Sequence, residues 1–250
     1  MQRYSSENSV LFNTSILGWR NGIWFLIIIL TACNSKKSPS NKPKTDIVID
    51  TQEVTSVKPS PPIMEIIDYD TSVWMELGTQ NDIFLDIRYA TTDNFVKEQL
   101  YDCSRCFLRP KVAKALLKAQ ASLKEKGLRF KLFDCFRPRQ IQERLWEKVP
   151  NATYVTPPSK GSMHNRGTAV DLTLVDEQGK ELNMGTEFDY FGPTAHHTYK
   201  DLPEDVLKNR KLLKTTMEEN GFGAIRTEWW HYSYRKEKYD ISEMIWNCQQ

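Results

Sequence analysis

A histidine and an aspartate stand seven residues apart in Ser162-Met163-His164-Asn165-Arg166-Gly167-Thr168-Ala169-Val170-Asp171, and this spacing constrains the chain more than any other feature. On one straight strand, residues seven apart point to opposite faces and lie over roughly 20 Å from each other. If the two side chains share one centre, the chain must fold back between them. Asn165-Arg166-Gly167 is the place for that turn, because Asn and Gly tolerate positive φ. Val170-Asp171-Leu172-Thr173-Leu174 then reads as the outgoing strand, with Asp171 on the same face as Ala169 and Thr173. Of only four histidines in the chain, another falls in the run Glu228-Trp229-Trp230-His231. There too the carboxylate and the imidazole are out of phase for an ideal strand, which predicts a bulge or a bend.

His164, Asp171 and His231 together make a donor set for zinc. Zinc takes imidazole nitrogen and carboxylate oxygen, and a catalytic site keeps three protein ligands and one open position. An ion so held activates water and polarises a carbonyl. Glu228 is the candidate general base beside it. Arg137, whose backbone is restrained by Pro138, is the candidate stabiliser of a developing oxyanion. Singly, each has a plainer reading: a core histidine bonded to backbone, a carboxylate at the surface end of a strand, an arginine paired with Asp134.

Composition excludes some function classes. With 250 residues, 40% hydrophobic, the chain can bury a proper core in one domain and still carry extra segments. Its net charge of +2 is spread over interleaved acidic and basic residues, without the basic stripe a nucleic-acid partner would require.

The N-terminus reads as a targeting segment. Arg3 and Arg20 provide positive charge ahead of the apolar run Ile23-Trp24-Phe25-Leu26-Ile27-Ile28-Ile29-Leu30, too short to span a bilayer as a mature helix. Leu30-Thr31-Ala32-Cys33 follows and resembles the lipobox of bacterial lipoprotein signal peptides. That resemblance implies a signal peptide over 1–32 and lipidation of Cys33. It also implies a bacterial envelope protein, anchored in a membrane through its lipid and facing the periplasm or the exterior. Residues 33–65, rich in Ser, Lys, Pro and Thr, read as a flexible tether. In an oxidising space Cys103, Cys106, Cys135 and Cys248 are then expected to form one or two structural disulfides, with three complete pairings open. Cys103-Ser104-Arg105-Cys106 has no second closely spaced pair to complete a zinc ribbon.

Residues 66–250 carry the folded domain. A first strand is expected over Ile83-Phe84-Leu85-Asp86-Ile87-Arg88-Tyr89. A helix follows from Pro110 through Val112, Leu116, Ala119 and Leu123, with Gly127 placed to end it. Leu128-Arg129-Phe130-Lys131-Leu132 alternates as a strand, and Pro138 suits the first turn of a helix through Ile141, Leu145 and Trp146. Beyond the metal motif, a helix is predicted from Pro203-Glu204 to Asn220-Gly221, and an aromatic strand over Glu228–Tyr234. Strands and helices mix without a βαβ rhythm, so the class is α+β.

The runs Ser162-x-His164-x-x-Gly167-x-Ala169-x-Asp171 and Glu228-x-Trp230-His231 resemble the signature of the LAS-type zinc metallopeptidases, and most nearly the VanX-type D-alanyl-D-alanine dipeptidases. Tyr89-Ala90-Thr91-Thr92-Asp93-Asn94-Phe95, Asp134-Cys135-Phe136-Arg137-Pro138, Met184-Gly185 with Phe188-Asp189, and His196-His197 agree as well, over roughly residues 66–240. The resemblance implies a single LAS/hedgehog-like domain with a central, mostly antiparallel sheet flanked by helices. It implies one Zn2+ on His164, Asp171 and His231, a zinc-bound water as nucleophile, Glu228 as base and Arg137 at the transition state. Ser162, Tyr89 and Asp189 are expected to line the substrate pocket, with D-Ala-D-Ala or a related cell-wall peptide as substrate. Two other functions fit the same motifs: a D,D-carboxypeptidase acting on peptidoglycan stem peptides, and a non-catalytic wall-binding lipoprotein. The cysteines and the leader depart from the family's best-known, cytoplasmic member.

Overall fold

The structure is a computed structural model, and it describes residues 68–248. The expected signal peptide, Cys33 and the tether lie outside the described residues.

A five-stranded sheet and three helices carry the site. Its strands are β2 (Phe84–Leu85), β4 (Leu128–Asp134), β5 (Ala169–Asp176), β7 (Glu228–Tyr234) and β6 (Phe222–Ile225), in that spatial order. Only β2 pairs in parallel; the other three pairings are antiparallel. A small second sheet joins β1 (Met75–Leu77) to β3 (Cys106–Leu108). This is the α+β class expected, with a mostly antiparallel central sheet.

The helices form where apolar spacing and stop signals agree. In α1 (Pro110–Lys124) Pro110 occupies the first turn, where its missing N–H costs nothing, and Val112, Leu116, Ala119 and Leu123 are buried on one face. Gly127, at φ 69°, takes the left-handed turn that ends the segment. Pro138 caps α2 (Arg139–Lys148), which buries Ile141, Gln142 and Leu145. Glu204 and Asp205 begin α3 (Glu204–Glu219), where acidic side chains suit the positive end of the helix dipole.

Two expectations need correction. The strand over 83–89 is only the two residues Phe84–Leu85; the Asp86 N–H still reaches the Leu132 carbonyl at 2.9 Å, and the chain then bends into a 3-10 turn at Arg88–Ala90. That bend buries Tyr89, whose carbonyl takes the N–H groups of both Leu100 and Tyr101. Nor is it the first strand: β1 precedes it.

Both irregularities anticipated around the histidines are present. His164–Arg166 forms a 3-10 turn closed by Gly167 at φ 70°, and β5 starts two residues later. Against β6, the register of β7 slips so that the adjacent residues Ala224 and Ile225 pair with Tyr232 and Glu228, and three β7 residues lie between those partners. This slip lets Glu228 and His231 serve one pocket.

All four described cysteines are bonded, as Cys103–Cys248 and Cys106–Cys135. The first ties the C-terminal segment down; the second links β3 to the end of β4 beneath the site.

Candidate metal centre

Sheet register sets the site's geometry. Asp134 pairs with Asp171, and Asp171 with His231, so three polar side chains stand in a row across β4, β5 and β7. His164 enters from the turn that precedes β5. That turn is pinned to the 134–138 segment: the Arg137 N–H donates to the His164 carbonyl at 3.2 Å, and Asn165 Nδ2 donates to the Arg137 carbonyl at 2.8 Å.

One ligand atom from each of His164, Asp171 and His231 lies within 4.8 Å of the others, and all three residues are buried. His164 Nε2 is 3.1 Å from His231 Nδ1, which is in turn 2.9 Å from Asp171 Oδ1. The opposite ring nitrogens have other partners. His164 Nδ1 donates to the Cys135 carbonyl at 2.7 Å, and His231 Nε2 meets Ser233 Oγ at 2.9 Å. Such outer contacts fix each ring in the tautomer that turns a lone pair inward. Two imidazole nitrogens and a carboxylate oxygen converging within 4.8 Å of one another are the donor chemistry of a divalent cation, so the residues fit the implied ion.

Burial and mutual charge set the protonation tendencies of these groups in the metal-free site. Burial alone would raise the Asp171 carboxyl, but the rings of His164 and His231 hold it far below the usual carboxylate range. For His164, burial disfavours the charged ring, and Asp171 outweighs it and raises the pKa. Burial keeps His231 below its ordinary value. Glu228 is different: burial, then the charges of Asp171 and Asp189, push it well above the carboxylate range.

A cavity of about 270 Å³ opens onto these donors. Its lining includes Tyr89, Arg137, Ser162, Asp189 and Glu228, so every site residue expected from sequence in the described region reaches one pocket. Arg137 is buried and pairs with Asp134 Oδ2 through Nε at 3.0 Å and Nη2 at 2.6 Å, with its guanidinium 5.1 Å from the Tyr89 ring centroid. The pairing with Asp134 and a place in the pocket are therefore both realised. Asp189 holds a left-handed backbone, φ 59°, unusual outside glycine, and accepts from the Tyr89 hydroxyl at 3.0 Å. Ser162 Oγ accepts from the His164 N–H at 3.2 Å. His196 and His197 do not join the pocket lining. His196 Nδ1 faces Arg226 Nη1 at 3.3 Å and the His197 ring lies against Tyr232.

Sequence reasoning missed the aromatic wall. Phe95, Tyr154 and Phe191 line the cavity; Phe191 stacks on Tyr154 with centroids 4.7 Å apart and meets Phe95 at 5.0 Å. Phe95 did fall in a matching run, whereas Tyr154 sits in a loop without periodicity.

The protein-family model for the D-Ala-D-Ala dipeptidases matches residues 75–247. Among curated proteins, the D-alanyl-D-alanine dipeptidase of Escherichia coli (strain K12) is 38% identical over 151 residues, covering 60% of this chain and 78% of that protein. The D-alanyl-D-alanine dipeptidases of Enterococcus faecalis (32% over 178 residues) and Enterococcus faecium (33% over 178 residues) cover 62% and 63% of this chain, and 87% and 88% of their own lengths. On the extent of that family match, and with the motif residues gathered in one pocket, this chain belongs to peptidase family M15, the D-Ala-D-Ala dipeptidases.

Proposed function

We propose that this protein hydrolyses the D-alanyl-D-alanine dipeptide in cell-wall metabolism, with one zinc ion held by His164, Asp171 and His231. The observation that carries the reading is the convergence of those three buried donors at the floor of a pocket that Glu228 and Arg137 also line. Zinc in such a set supplies Lewis acidity, activating water and polarising the scissile carbonyl.

The chain's own residues supply the rest. Glu228 takes a proton from the attacking water and returns it to the leaving amine; its raised pKa suits a group that must both accept and release. Arg137 faces negative charge as it develops on the carbonyl oxygen, and burial strengthens that interaction relative to water. Asp189 and Tyr89 offer a carboxylate and a hydroxyl to the substrate's ammonium end, and Ser162 a hydroxyl beside the His164 turn. Tyr154 and Phe191 stack in the lining of a cavity of about 270 Å³, a size that suits a dipeptide better than a longer stem peptide.

The test is a panel of D,D-, L,D- and L,L-dipeptides and wall pentapeptides, assayed with and without chelator. Chelator-sensitive cleavage of free D-Ala-D-Ala is expected. Preference for the pentapeptide would replace this reading with a carboxypeptidase, and wall binding without turnover by zinc-loaded protein would replace it with a binding module.

We also propose that Cys33 is lipidated and that the enzyme acts outside the cytoplasm. The Leu30-Thr31-Ala32-Cys33 run supports this, as does the complete pairing of the four described cysteines, since disulfides persist in oxidising compartments. A Cys33→Ala protein should leave the membrane fraction; retention there would count against lipidation.

A further inference from the structure

Gln142 lies in the first turn of α2, is 1% exposed, and joins two parts of the pocket. Its Oε1 accepts from Arg137 Nη1 at 2.8 Å, and its Nε2 donates to the Thr156 carbonyl at 2.7 Å. The amide has one workable orientation. Arg137 can only donate and a carbonyl can only accept, so turning the amide over would break both bonds.

The need for this contact follows from how Asp134 holds the arginine. Nε and Nη2 both converge on a single oxygen, Asp134 Oδ2. Two bonds to one atom anchor a guanidinium but leave it a pivot. A third bond, from the opposite nitrogen to Gln142, fixes its plane. The other end of Gln142 holds Thr156, which lies in the 152–156 stretch of the pocket lining that carries Tyr154 onto Phe191.

We propose that Gln142 is a positioning residue for the reaction: it sets the plane of the Arg137 guanidinium and ties that plane to the pocket wall through Thr156. The proposal rests on the role given to Arg137 above. Gln142 touches neither ligand atoms nor the cavity, so it acts through its two partners.

Two substitutions separate the two bonds. Gln142→Met removes both at similar volume; Gln142→Glu keeps an acceptor for Arg137 but sets a carboxylate oxygen against the Thr156 carbonyl. With zinc-loaded, full-length protein and D-Ala-D-Ala, Gln142→Met is expected to lower kcat about tenfold to a hundredfold, the range of a hydrogen bond to a charged group. Zinc content should stay at the wild-type ratio. In an Arg137→Ala background the same change should lower kcat less than about twofold, because its route to the reaction is already gone. Gln142→Glu should keep kcat within about threefold of wild type and raise KM instead.

Equal loss of kcat from Gln142→Met with and without Arg137 would overturn the proposal, as would a fall in kcat with unchanged KM in Gln142→Glu. Wild-type kcat in Arg137→Ala alone would instead sink the role of Arg137. One readout needs no activity: amide exchange over residues 151–156 should speed up in both variants, and unchanged exchange would remove the tie to the wall.

Discussion

Asp134 is fully buried and its carboxylate answers four donors: Arg137 Nε and Nη2 on Oδ2, the Tyr101 hydroxyl at 2.8 Å and the Cys135 N–H at 2.9 Å on Oδ1. Asp134→Asn keeps the shape and the Oδ1 contacts but removes the only carboxylate that, among the described residues, pairs with the buried Arg137. Removing one partner of a buried ion pair costs about 3–5 kcal/mol, because the other charge is left uncompensated. For a domain of this size each kcal/mol shifts Tm by about 2–4 °C, so a fall of roughly 6–20 °C is expected. Scanning calorimetry on chelator-treated protein with both disulfides intact measures it. Adding Arg137→Met removes the stranded charge and should restore at least about half of the loss, since apolar replacement of a buried pair is often neutral. A shift below about 2 °C in the single variant, or a double variant no better than the single, would refute the view that this pair holds charge at a cost.

Glu228→Gln should abolish most hydrolysis, by about 10²–10⁴-fold in kcat, and at the same time stabilise the metal-free fold. Burial raises the folded pKa of Glu228 above its ordinary 4.5, so the folded state binds the extra proton and wild-type stability falls as pH rises past 4.5; Gln escapes this, and the Tm gap in chelator should widen from pH 4.5 upward. Gly167→Ala should weaken zinc retention in a competitive chelator titration, because the residue sits at φ 70° and an added Cβ would run into the Trp74 ring, displacing the turn that carries His164. His197 is held by burial at about 4 against an ordinary 6.5. The unfolded chain therefore takes up that proton first as pH falls, and stability is lost between pH 6.5 and 4 by up to about 3 kcal/mol, a limb that urea titrations should find flattened in His197→Phe.

The parts of this fold that could be read from sequence are those that repeat a local signal. α1 shows its buried face four times over, at Val112, Leu116, Ala119 and Leu123, and the turn at Gly167 follows from two ligands that cannot meet without it. β1, β3 and β6 have three, three and four residues, too few to show a period of two, and they exist because a partner strand supplies their hydrogen bonds. The overlong first strand failed for a related reason. Alternating Ile83, Leu85 and Ile87 describes burial, whereas only Phe84 and Leu85 have a neighbour to pair with.

The same division runs through the site. Ligands, base and arginine are chemical types at short spacings, visible as motifs. What orients them is reached across long stretches of chain: the Cys135 carbonyl takes His164 Nδ1 from 29 residues away, and Tyr101 holds Asp134 from 33. Gln142 is only five residues from Arg137, yet an inward-facing glutamine on an amphipathic helix carries no sign of what it will meet. A polar residue at a buried helix position is therefore informative once the fold is known: it must be satisfied, and the groups that satisfy Gln142 are the pocket arginine and the pocket wall. The functional residues give the reaction class, and the buried polar residues behind them show where its geometry is kept.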